Sequence, residues 1–205
     1  MSEGPATPTA VLLMAYGTPR DRAGIEPYYT DIRRGRPPTP EQLAELTARY
    51  DAIGGLSPLA ERTEAQRAGL QRALDALAPG SFEVVLGLKH SAPTIETAVD
   101  DLATRGFTRV VALVLAPHYS ALSVGQYLDR ARVAGVTHGI EVRGIKSWHL
   151  EPAYVDFLAG EIRHELAGLP ANTKVLFTAH SLPSRIVDAG DPYPDELRAT
   201  AHAVA

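Results

Sequence analysis

Apolar and polar positions along the chain fall into alternating blocks. Ala10–Ala15 is a continuous apolar run, AVLLMA, stopped by Tyr16-Gly17-Thr18-Pro19. A short run without polar alternation reads as a strand buried on both faces. Phe82–Leu88, Arg109–Ala116, Ile140–Ile145 and Val175–Phe177 carry the same signature. Between these runs the spacing becomes helical. Helices are predicted over Glu26–Arg34, from Thr39 through Leu43, Leu46 and Tyr50, and from Ser57 with Leu70, Leu74 and Leu77 on one face. Further helices are predicted over Pro93–Thr104, Ser123–Ala134, Pro152–Leu169 and Pro194–Ala205. Thr39-Pro40-Glu41 has the chemistry of a helix start. Thr39 caps, Pro40 takes the first helical position and Glu41 sits at the positive end. Strands alternating with helices predict an α/β fold, with a parallel sheet flanked by helices on both faces.

That order gathers chemistry on one edge. Tyr16, His90, His118 and His180 each follow a predicted strand, and the carboxyl ends of strands are where open α/β sheets bind ligands. Pro183 cannot continue a central strand, so His180 falls just past the end of Val175–Phe177. An imidazole held there can serve as a base or a metal ligand. A histidine that merely bonds a neighbouring carbonyl has the same signature. Arg33-Arg34-Gly35-Arg36, with Arg49 and Tyr50 further on, can grip a carboxylate or phosphate through the planar guanidinium fork. A solvated charged face reads the same way. Gly54-Gly55-Leu56-Ser57-Pro58 can bring amides and a hydroxyl to a ligand, or simply end one helix and cap the next. His90 and His118 suit a supporting role better than direct ligation. Imidazole nitrogen combined with tyrosine or carboxylate oxygen suits a divalent ion such as Fe(II).

Composition narrows the class. A net charge of -4 provides no electrostatic footprint for nucleic acid. The absence of cysteine excludes disulfides, thiolate zinc sites, a cysteine nucleophile and any iron–sulfur cluster held by this chain. It is compatible with the cytoplasm, the expected location. The first residues lack the pattern of a secretory signal, and the longest apolar runs are far below the ~20 residues of a transmembrane helix. No dinucleotide fingerprint follows the first strand, and there is no Walker A sequence.

Several long, collinear motifs resemble the ferrochelatase family. They are Met14–Pro19 (MAYGTP), Tyr28–Arg36 (YYTDIRRGR), Arg49–Glu64 (RYDAIGGLSPLAERTE), Gly87–Glu96 (GLKHSAPTIE), Leu115–Tyr127 (LAPHYSALSVGQY) and Thr178–Pro194, which holds TAHSLP and GDPYP. In detail the pattern is similar to the coproporphyrin branch found in monoderm bacteria. The resemblance implies two Rossmann-like lobes with parallel sheets around a porphyrin cleft. The implied reaction is insertion of Fe(II) into coproporphyrin III on the coproporphyrin-dependent route to haem b. Iron is then a substrate, no resident cofactor is implied, and the product passes to a downstream haem-synthesis enzyme. By the same resemblance, His180 binds the metal or accepts pyrrole protons. Tyr16 ligates the product iron on the opposite face. Arg33, Arg49, Tyr50, Ser57 and Tyr127 line the macrocycle and hold its propionates, and His90 lies near the cleft.

The expected division is a flexible tail over residues 1–9, a first lobe over 10–88 and a second lobe over 89–205. Against the family pattern the chain is expected to be a fragment lacking the C-terminal third, so that the second lobe is incomplete. The glutamate that the family pairs with the catalytic histidine is then outside it. If 205 residues is the true length, the alternative is a tetrapyrrole-binding module without turnover. A compact chelatase acting on a sirohydrochlorin-like ring is disfavoured by the RRGR and GGLSP segments.

Overall fold

The computed structural model describes residues 8–205. Two compact units emerge. The first takes the described residues up to Leu115 together with Tyr127–Gly144, and the second takes Ala116–Gln126 and Ile145–Ala205.

The first unit is built on one sheet. Its strands are β1 (Thr9–Ala15), β2 (Phe82–Leu88), β3 (Arg109–Val114) and β4 (Glu141–Ile145), in the spatial order β2-β1-β3-β4. β1 pairs in parallel with β2 on one side and β3 on the other. β1 thus has neighbours on both edges and cover on both faces, which explains its unbroken apolar sequence. Ala10, Leu12 and Met14 are fully buried, as is Leu13. On one face Val11, Leu13 and Val84 pack against Leu70 and Leu74 of α3 (Leu59–Leu77). On the other lies α4 (Ile95–Thr104), which buries Ile95, Val99 and Leu102. Gly87 allows that close approach: a Cβ there would sit 2.8 Å from Leu12 Cδ1 and 3.2 Å from the Ile95 Cα.

Between β1 and β2 come α1 (Ile25–Ile32) and α2 (Pro40–Ala52). The Thr39 cap forms as expected and closes a capping box. Its hydroxyl accepts from the Gln42 amide, and the Gln42 side chain accepts from the Thr39 amide. The last helix of the first unit is α5 (Gln126–Thr137), preceded by a π turn over Ala121–Gly125. The second unit holds that turn, α6 (Pro152–Leu166), α7 (Arg185–Asp188) and α8 (Tyr193–Val204). No helix among the described residues is long and apolar enough to cross a membrane.

The α/β class and the helix-flanked parallel sheet are found, with four differences from expectation. The break expected after residue 88 falls inside the sheet, because β3 returns to pair with β1 and β4 joins it. Thr9 opens β1, and the rest of the tail expected over residues 1–9 lies, apart from Pro8, outside the described residues. Leu77, the last residue of α3, is 82% exposed. Val175–Phe177 forms no strand: Leu176 is 81% exposed, and no described segment pairs with it. A strand exists only through a neighbour's hydrogen bonds, which an apolar run cannot provide for itself.

Truncating the central strand tests this packing. Leu12→Ala removes a fully buried side chain from the sheet and is expected to cost about 2–5 kcal/mol in a urea titration. Leu77→Ala, at an exposed position, is expected to change stability by less than about 0.5 kcal/mol.

Candidate functional site

The ladder of β1 runs on past its last residue. The Lys89 amide donates to the Ala15 carbonyl at 2.9 Å, and the His90 amide to the Tyr16 carbonyl at 3.0 Å. Tyr16 and His90 are thereby held side by side at the carboxyl rim. Their rings meet edge to face, with centroids 4.5 Å apart. Gly17 follows with φ +88, and a Cβ there would collide with Ser91 Oγ, so the turn requires glycine. With the order β2-β1-β3-β4, this point lies beside the β1/β3 switch, where doubly wound sheets bind their ligands.

Helix α1 builds a wall beside this rim. Tyr28 and Asp31 are three residues apart and so share one helix face. The Tyr28 ring meets Tyr16 edge to face at 6.5 Å. Asp31 Oδ2 lies 2.6 Å from His90 Nδ1. A cavity of about 340 Å³ is lined by Tyr28, Asp31, Lys89, His90 and Arg20. A second, of about 200 Å³, is lined by Tyr16, Tyr28, Arg49 and Tyr50. Tyr127 of α5 receives Lys89 Nζ over its ring at 5.0 Å.

Burial sets the electrostatics of this unit. It raises the phenol pKa of Tyr16, with Asp31 adding to the effect. Tyr28 and Tyr127 are pushed up for the same first reason, followed by neighbouring phenols. These phenols stay neutral unless a cation arrives to compensate the charge. The His90 pKa is lowered by burial, which outweighs the attraction of Asp31. Lys89 is lowered by burial and then by Arg130. Arg130 clamps Glu96 through Nε at 2.7 Å and Nη2 at 2.6 Å, and its third contact is the Lys89 carbonyl at 2.8 Å. Arg130 thus ties α5 and α4 to the loop that carries Lys89 and His90.

The second unit has a different chemistry. Two carboxylates from its C-terminal region gather the preceding loops. Asp191 accepts from the Ser120 hydroxyl at 2.9 Å and the Ala121 amide at 2.8 Å. Glu196 accepts from the Tyr119 amide at 2.6 Å and the Ser147 hydroxyl at 2.9 Å. His149 Nδ1 lies 2.5 Å from that hydroxyl. His118 Nε2 is 2.9 Å from the Thr200 hydroxyl, and its pKa is lowered by burial and then by His149. His180 lies in an exposed segment outside any helix or strand, where its carbonyl accepts from the Tyr193 hydroxyl at 3.2 Å. Among the described residues, no group of three or more His, Asp or Glu side chains is placed to hold a metal ion.

Comparison with known proteins decides the family. The ferrochelatase family model matches residues 8–205. The chain belongs to the ferrochelatase family. It is 44% identical over 199 residues to the coproporphyrin III ferrochelatase of Halalkalibacterium halodurans, covering 95% of this chain and 64% of that protein. It is 44% identical over 200 residues to the coproporphyrin III ferrochelatase of Listeria innocua, covering 95% and 65%. It is 45% identical over 204 residues to the ferrochelatase of Herpetosiphon aurantiacus, covering 96% and 67%. The chain thus spans about two thirds of the length of these curated relatives.

The family motifs separate across the two units. Tyr16, Tyr50, His90 and Tyr127 belong to the first, with Arg33, Arg49 and Ser57. His118 and His180 belong to the second. His180 does not end a strand, because Val175–Phe177 is not one. Arg33 is engaged locally: its Nε donates to the Arg36 carbonyl, and its guanidinium lies 5.4 Å from the Tyr29 ring centre. Arg49 is paired with Glu45, and the Ser57 hydroxyl accepts from the Leu59 amide at 3.2 Å. That bond closes a two-residue turn ahead of α3, whose N-cap position is Pro58 and carries no side-chain cap, so the capping role its spacing allowed is not found. Sequence reasoning passed over Tyr28, Asp31, Lys89 and the Glu96–Arg130 clamp as site residues. The three-residue spacing of Tyr28 and Asp31 inside the predicted helix Glu26–Arg34 was the available signal.

The clamp predicts an acid-dependent stability. The Arg130 hydrogen bonds hold the Glu96 pKa below its ordinary 4.5. A lowered folded-state value stabilises above the unfolded pKa, and that contribution is lost as pH falls through the folded value. The stability advantage over Glu96→Gln, read by urea titration, is therefore expected to be present near about pH 6 and to fade towards about pH 3.

Proposed function

We propose that this chain is the larger part of a coproporphyrin ferrochelatase, which inserts Fe(II) into coproporphyrin III. The reaction exchanges two pyrrole N–H protons for one Fe(II), releasing two protons. The observation that carries the reading is the aromatic rim in the first unit. Tyr16, Tyr28 and His90 present ring edges and faces beside a strand terminus, and flat apolar walls with a few polar groups suit a planar macrocycle. The naming of relatives as coproporphyrin III ferrochelatases supports it.

In this reading each residue has a task. Arg33, Arg49, Tyr50, Ser57 and Tyr127 hold the propionates and the ring, with Arg supplying charge-assisted forks to carboxylates. Arg49 exchanges its present partner Glu45 for a propionate. Tyr16 ligates the product iron. Its neutral phenol loses a proton there, because the bound cation supplies the charge that burial otherwise denies it. His180 binds the incoming metal or accepts a pyrrole proton, as an imidazole can near neutral pH. Its exposed setting leaves the imidazole open to an approaching ligand. The product passes to a downstream haem-synthesis enzyme, and the reaction takes place in the cytoplasm.

Anaerobic mixing with Fe(II) and coproporphyrin III tests the reading, with the Soret and Q bands as the record of metallation. His180→Ala is expected to slow insertion by about two orders of magnitude or more and to leave porphyrin binding largely intact. Unchanged turnover sinks the assignment of His180. Tyr16→Phe is expected to change the visible spectrum of the bound ferric product, and an unaltered spectrum removes Tyr16 as a ligand. Tight porphyrin binding with no insertion at all identifies a tetrapyrrole-binding module instead.

A further inference from the structure

Asp31 is the one carboxylate brought to the Tyr16 rim by helix α1, and it is spent on a single contact. Its Oδ2 meets His90 Nδ1 at 2.6 Å, across 59 positions of sequence. The two ends differ in exposure, 58% for the Asp31 side chain and 13% for that of His90. The aspartate stands at the surface and reaches inward to a nearly enclosed ring. An ion pair kept only for stability at such an exposed acid contributes little.

Geometry gives the contact a different use. A buried neutral imidazole has one N–H and one lone pair, and the partner of one nitrogen decides the state of the other. A carboxylate at Nδ1 can only accept, so the proton belongs on Nδ1 and the lone pair on Nε2. The ring is also held in orientation. Its backbone amide is tied to the Tyr16 carbonyl at 3.0 Å, its plane meets the Tyr16 ring at 60°, and Asp31 sets the remaining rotation. His90 and Asp31 line the same cavity of about 340 Å³.

We infer that Asp31 is a positioning residue: it fixes His90 in the Nδ1–H tautomer, so that the Nε2 lone pair is the acceptor offered to an N–H group of a tetrapyrrole bound against Tyr16. The ligand class rests on the ferrochelatase reading. The tautomer does not.

Long-range proton–nitrogen correlation on nitrogen-15-labelled protein reads the tautomer directly, with His90→Gln locating the His90 resonances. The unsubstituted protein is expected to show His90 protonated at Nδ1. Asp31→Ala is expected to shift the population to Nε2–H. Asp31→Asn keeps an accepting oxygen and is expected to retain Nδ1–H. Iron insertion into coproporphyrin III is expected to lose about ten- to a hundredfold in kcat in Asp31→Ala, with KM for the porphyrin little changed and most of the loss recovered in Asp31→Asn. Nε2–H in the unsubstituted protein overturns the inference, and so does a full kcat in Asp31→Ala once the tautomer has moved. If the unsubstituted protein inserts no iron, the chelatase reading has failed, and the tautomer result alone decides the role of Asp31.

Discussion

The rim of the first unit depends on the carboxyl end of β1, where the Ala15 and Tyr16 carbonyls accept from the Lys89 and His90 amides. These two backbone bonds carry the β1–β2 ladder beyond the regular sheet. They place a phenol and an imidazole side by side without any help from the side chains. The bonds can be so exact because β1 cannot move. Its residues are buried on both faces and paired on both edges, and interiors packed to crystal-like density resist even small displacements. The Leu115 amide, bonded to the Met14 carbonyl at 2.8 Å, extends the same restraint on the β3 side.

Onto this fixed line the helices add chemistry. Helix α1 brings Tyr28 and Asp31, and α5 brings Tyr127 and Arg130. The cost of assembling so many polar groups is met by pairing them. Arg130 uses three donors on Glu96 and the Lys89 carbonyl, and Asp31 is satisfied by His90. Hydrogen bonds to an ionised partner are stronger than neutral ones, which favours such pairs around this partly exposed rim. The second unit follows the same rule with carboxylates. Asp191 and Glu196, five residues apart, answer the donors of the loops at Ser120 and Ser147. The GDPYP stretch is in this sense a clasp for the PHYS stretch.

Local signals and long-range ones differ in how well they could be read. The capping box at Thr39 depends on residues three apart, and it forms as its chemistry requires. β2 spans the predicted residues, because seven apolar-rich positions between breakers leave little choice. A helix is predicted over Ser123–Ala134, whereas a π turn occupies Ala121–Gly125 and α5 begins at Gln126. The Ser120 hydroxyl caps Leu122 and is itself held by Asp191, a partner 71 positions away that no local pattern reveals. Val175–Phe177 fails for the same kind of reason. Its apolar character is plain, but a strand requires a neighbour.

By itself, the sequence determined the class of the fold, most of its helices and strands, and the family. Apolar periodicity and capping chemistry act within a few residues, and the family motifs are contiguous strings. Tyr16 and His180 lie within such strings. Only the tertiary structure decided which of the marked groups share a unit, and how they are supported. The Asp31–His90 contact, the Arg130 clamp and the phenol cluster all join residues that are distant along the chain. They meet because parallel pairing through β1 brings its carboxyl end beside that of β2, with α1 and α5 alongside. No residue carries that adjacency alone, since it is a property of the order of strands in the sheet.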